Sequence, residues 1–127
     1  MLFAAISKDR NCHYCAAAHI ACCRMLGVKQ SLLDDLVRDV NSISVPEVRD
    51  MILFGLKCSR DPQQLSEADY EKLRQHKLSQ SEILELIAMS GLACMRIFSP
   101  IVKDSRAEST GFPTTLPELY PTMCSNR

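Results

Sequence analysis

The sequence predicts an all-α fold of six helices. Apolar residues recur at helical spacing in successive segments, and capping or breaking residues bracket those runs. No stretch alternates apolar and polar residues around hairpin chemistry. Composition agrees: Trp is absent and aromatic residues make up only 6% of the 127. The core must therefore be built from Leu, Ile, Val, Met, Ala and Cys, which suits packed helices. The length fits one domain that buries roughly two thirds of the surface its unfolded chain exposes.

The first helix runs from Met1 to about Asp9 and begins without a capping residue. Asn11, a favoured N-cap residue, opens the second and puts Cys12 in the first helical position; Ala16-Ala17-Ala18 carry it on, and Gly27 stops it. Leu32, Leu33, Leu36, Val37 and Val40 give a third helix that ends in Asn41-Ser42, with Asp34, Asp35, Arg38 and Asp39 on its wet side. A fourth opens with Pro46 in its first turn and buries Val48, Met51, Ile52 and Leu56 before the Arg60-Asp61-Pro62 break. Ser66 caps a fifth through Leu73, and Ser79 with Glu82 makes a capping box for a sixth. The sixth is mostly apolar from Ile83 to Val102, which places it in the core or at a subunit interface. Residues 1–103 form the helical domain. Residues 104–127 hold Pro113, Pro117 and Pro121 and cannot be a long helix. Their Phe112, Leu116, Leu119, Tyr120 and Met123 suit a tail over its own subunit or an arm docked on a neighbour.

Fifteen basic residues balance fifteen acidic ones. With no basic run, the chain offers nothing to nucleic acid or to an acidic membrane surface. Seven cysteines, an odd number that includes the adjacent Cys22 and Cys23, lack the spacing of a disulfide framework and point to a reducing compartment. The apolar segment Met1–Ile6 is too short for a signal peptide or a membrane span, so the expected location is cytoplasmic. Cys22, Cys23, Cys58 and Cys94 read as packing residues, and Met51, Met89 and Met95 as core filler. His13 and His76 read as solvent-facing.

The chemistry concentrates in Cys12-x-x-Cys15-x-x-x-His19. At about 100° per residue these three side chains fall within roughly a 60° sector of one helix. Cys12 and Cys15 can close a disulfide, and Cys15 and His19 stand at the spacing where helical side chains meet. A thiol at a helix start beside an imidazole is biased toward thiolate. Zinc held by Cys12, Cys15, His19 and Cys22 or Cys23 is disfavoured, because one continuous helix cannot easily wrap four ligands tetrahedrally around an ion. Attachment of a c-type haem needs His where Ala16 stands. No metal or other cofactor is expected, and no Gly-rich loop cradles a flavin or nicotinamide phosphate.

This motif, in an all-helical setting and followed by Leu78-Ser79-Gln80-Ser81-Glu82-Ile83-Leu84-Glu85-Leu86-Ile87-Ala88, resembles the alkylhydroperoxidase D-like branch of the carboxymuconolactone decarboxylase family over Met1–Lys103. The resemblance implies a six-helix fold assembled into trimers or hexamers, and a peroxidase that removes hydroperoxides with a thiol pair. Cys15 would attack the peroxide, His19 would accept its proton, and Cys12 would resolve the product to a disulfide. A lipoyl-bearing or thioredoxin-like dithiol protein would restore the thiols. Disulfide exchange or redox sensing without efficient peroxide turnover is the alternative. The family's acidic relay residue falls just before Met1, and Tyr14 replaces its second His. The resemblance therefore implies weakened turnover in a truncated or eroded chain.

Overall fold

A computed structural model describes residues 1–98, with the backbone alone for residues 96–98. Six α-helices make up the described part, with no strand: α1 (Leu2–Asp9), α2 (His13–Met25), α3 (Gln30–Arg38), α4 (Pro46–Arg60), α5 (Glu67–Gln75) and α6 (Gln80–Phe98). Short 3-10 turns at Val40–Ser42 and Pro62–Gln64 flank α4. The far end of the expected sixth helix and the tail from Asp104 lie outside the described residues.

Helix α1 is short but central. Its consecutive residues Ala4, Ala5, Ile6 and Ser7 are all buried, and four consecutive residues point around about 300° of a helix. Neighbours cover it accordingly on several sides: α2, α3, α4 and α6 all pack against it. The main core joins Ile6 to Ile20, Leu33, Leu36, Ile43, Ile52, Leu56 and Ala93. A second cluster of Phe54, Leu73, Ile83 and Leu86 fastens α5 to α4 and α6. Gly55 permits the closest approach. A Cβ there would strike Leu2 Cδ1 and lie 3.0 Å from Ser90 Oγ. Arg60, at the end of α4, grips Asp9 at the end of α1, its Nε 2.9 Å from Oδ2.

The ends of the helices differ from the sequence reading in informative ways. Three helices close on a residue with positive φ: Asn11 after α1, Gly27 after α2 and Lys77 after α5. In each case the residue after it donates its N–H back to a carbonyl five positions earlier: Cys12 to Ser7, Val28 to Cys23 and Leu78 to Leu73. This is the Schellman arrangement. Asn11 thus terminates α1 rather than capping α2, and Cys12 is the N-cap rather than the first helical residue. The third helix ends at Arg38, with Val40 in a separate 3-10 turn, because Asp39 leaves the helix in an extended conformation (φ −161°) and its carboxylate accepts the Asn41 N–H at 3.0 Å. The capping box expected at the sixth helix is present: Ser79 donates its N–H and its hydroxyl to Glu82 Oε2 at 2.7 and 2.6 Å.

Candidate functional site, a helix-start cysteine pair

The turn between α1 and α2 builds the site. Asn11 in the left-handed region reverses the chain, and the 2.9 Å bond from the Cys12 N–H to the Ser7 carbonyl fixes Cys12 at the mouth of α2. Asn tolerates that backbone conformation better than most residues. From there Cys12 Sγ accepts the Cys15 N–H at 3.4 Å, so the first thiol of the pair also serves as a weak helix cap. Cys12 and Cys15 are joined by a disulfide, with their Cα atoms 5.3 Å apart.

The two sulfurs are not equivalent. Cys12 is half-buried, while Cys15 faces the core and is 8% exposed. An incoming thiolate therefore reaches Cys12 more easily. Attack there releases Cys15 as a thiolate in the first turn of α2, where the helix dipole favours negative charge. One turn further on, half-buried His19 sets its ring edge-to-face against Phe3 of α1, with centroids 5.2 Å apart. That contact packs the imidazole of α2 against α1. Two turns beyond Cys15, on the same stripe, lies Cys22.

Two cavities flank this region. The larger, about 770 Å³, sits among charged side chains between α1 and α4, lined by Lys8, Asp9, Arg38, Lys57 and Arg60, and touches none of the three motif residues. The second, about 550 Å³, is lined by His19, Cys22 and Cys23 along with apolar residues of α1, α4 and α6. His19 is the motif residue that opens onto it.

Several side chains sit elsewhere than the sequence suggests. Cys22 is exposed instead of packed, whereas Cys23 is buried and Cys58 and Cys94 are half-buried. Burial pushes the Cys58 thiol above its ordinary pKa, which keeps it protonated and unreactive. Met89 and Met95 are exposed, because α6 packs only one face on the bundle. His76 does not face open solvent: its Nε2 lies 2.8 Å from Asp50 Oδ2, tying the end of α5 to α4. His13 is exposed, as expected. Among the described residues no group of three or more His, Cys, Asp or Glu is placed to hold a metal ion, and no helix is long and apolar enough to cross a membrane.

No family model, curated protein or solved structure matches this chain. The site is therefore read from its own geometry. Sequence reasoning missed the groove and the exposure of Cys22. The stripe that joins Cys12, Cys15 and His19 continues to Cys22 by periodicity alone, and extending it one more step would have found that thiol.

Proposed function

We propose that this chain is a thiol-dependent, peroxide-reducing protein that works through Cys12, Cys15 and His19. The observation that carries the reading is the disulfide between Cys12 and Cys15 at the start of α2, with His19 one turn away on the same stripe. In the reduced state the Cys15 thiolate attacks one peroxide oxygen. The S–O bond forms, the O–O bond breaks, and the departing alkoxide takes a proton from the imidazolium of His19 or from water to leave as an alcohol. Cys12 then attacks the Cys15 sulfenic sulfur; the S–S bond forms and hydroxide leaves as water. A dithiol protein, lipoyl-bearing or thioredoxin-like, returns the disulfide to two thiols and is itself oxidised. The resemblance to the alkylhydroperoxidase D-like branch supports this order of events. Exposed Leu84, Leu92 and Met95 on α6 support assembly of several copies, a trimer or hexamer by the same resemblance, and sedimentation checks it.

A second reading is favoured by one observation: Cys15 is buried while Cys12 is accessible. That asymmetry suits disulfide exchange with a protein thiol, entering at Cys12, with little direct peroxide turnover. Trapping of sulfenic acid with a dimedone probe separates the two. On the peroxidase reading, hydroperoxide labels Cys12→Ser at Cys15 and leaves Cys15→Ser unlabelled. Absence of label in both variants, with exchange against a dithiol protein intact in the wild type, favours the second reading.

A further inference from the structure

The groove beside His19 has an unusual balance of surfaces. Its floor is apolar, formed by Phe3 of α1, Met51 of α4, and Leu86 and Met89 of α6. Apart from His19 and the thiols of Cys22 and Cys23, its ionisable lining side chains are all carboxylates: Glu47 from the first turn of α4, and Glu82 and Glu85 from the start of α6, with no Lys or Arg lining it among the described residues. This is local, since the chain as a whole has zero net charge.

The carboxylates are also available. Elsewhere acids are spoken for: Asp9 by Arg60, Asp69 by Lys57, and Glu67 and Glu71 by Arg74. Glu47 and Glu85 are exposed, and their carboxylates have no hydrogen bond or ion pair among the described residues. Glu82 is anchored by the hydroxyl and amide of Ser79, which hold its carboxyl below the usual range and keep it ionised. A low-dielectric wall beneath single-sign charge focuses the field into the groove.

We propose that this groove is a binding site for apolar organic cations, with the hydrocarbon part on the Phe3, Met51, Leu86 and Met89 floor and an ammonium group at the glutamate rim. Its volume of about 550 Å³ lies in the range of small-ligand sites and accommodates an eight-carbon chain. The site does not depend on the redox reading, because neither Cys12 nor Cys15 lines it. A ligand there lies against His19 and Cys22.

Three probes of equal chain length test it: octylammonium, octanol and octanoate, titrated into protein carrying ¹³C-methyl methionine. The expected result is movement of the Met51 and Met89 methyl signals, while those of Met25 and Met95, outside the groove, stay in place. Octylammonium should bind about tenfold more tightly than octanoate, with octanol between, as two or three solvent-screened carboxylates allow. Glu47→Gln with Glu85→Gln should shrink the difference between amine and acid severalfold and leave octanol unchanged; Glu82, left intact because it caps α6, keeps a residual preference for the amine. Equal affinity for all three probes, absence of binding, shifts spread over Met25 and Met95, or a cation preference undiminished by the double variant would overturn the proposal.

Discussion

Opening the Cys12–Cys15 disulfide should leave the fold standing, and the cost can be worked out. The cysteines are three residues apart, so cross-linking them removes denatured-chain entropy worth only about 2 kcal/mol. A domain of this size has about 5–15 kcal/mol in hand, so the reduced chain stays folded. The serine variants then separate the two positions. Cys12 is half-buried and already caps α2 through sulfur. Serine is the better cap, and Cys12→Ser recovers about 1 kcal/mol of the loss. Cys15 is buried, and Cys15→Ser forces a hydroxyl into that position at a further cost of about 1–3 kcal/mol. The expected order of stability is oxidised wild type, Cys12→Ser, reduced wild type, Cys15→Ser. Urea unfolding followed by circular dichroism at pH 7 measures it. Unfolding of the wild type on reduction, or Cys12→Ser falling below Cys15→Ser, would refute the reasoning, since the disulfide would then be a structural staple.

Other expectations follow from single residues. Ser7 is 1% exposed and its Oγ has no hydrogen-bond partner among the described residues; Ser7→Ala removes that orphan and improves helix propensity, so thermal unfolding should show about 1 kcal/mol of added stability. Lys77 holds a left-handed conformation, φ 66°, that costs a side-chain-bearing residue about 1 kcal/mol or more; Lys77→Gly should raise the melting temperature by several degrees, and no change would show the turn to be unstrained. Asp69 is brought down from 3.8 to about 2 by hydrogen bonds from Lys57 and from the hydroxyl and amide of Ser66. Fully expressed, the shift is worth about 2 kcal/mol, which solvent around the partly exposed Lys57 reduces to about 1. Because the folded value is the lower one, this stability is present above pH 3.8 and is lost as the pH falls through about 2. The stability gap between wild type and Asp69→Asn should accordingly narrow at pH 3 relative to pH 7.

The helices were legible because their signals are local. Ser79 and Glu82 stand at the spacing of a capping box, Pro46 occupies a first turn, and Gly27 takes the positive φ that ends α2. Asn11 was harder, since asparagine suits both an N-cap and a left-handed helix end. The backbone bond from Cys12 to Ser7 decides between them, and nothing in the local sequence encodes that bond. Cys12, Cys15 and His19 share a stripe because all three lie in or beside one helix. The groove could not be read the same way: it gathers Phe3, His19, Met51 and Met89 from four helices, and their meeting depends on packing. Met89 and Met95 show the converse. Their spacing gives a helix, but which face of α6 meets the bundle is a tertiary outcome.

The central claim is that Cys12 and Cys15 form a working redox pair. The most direct measurement treats the fully reduced protein with one equivalent of cumene hydroperoxide, quantifies the alcohol released, and maps the disulfide by mass spectrometry. Trypsin leaves Cys12, Cys15, Cys22 and Cys23 in a single peptide, residues 11–24, so fragmentation between Cys15 and Cys22 must assign the bond. The account predicts one alcohol per Cys12–Cys15 disulfide, with Cys22 still free. Oxidation that appears at Cys22 while Cys12 and Cys15 remain as thiols, or a disulfide joining Cys15 to Cys58 or Cys94, would contradict it.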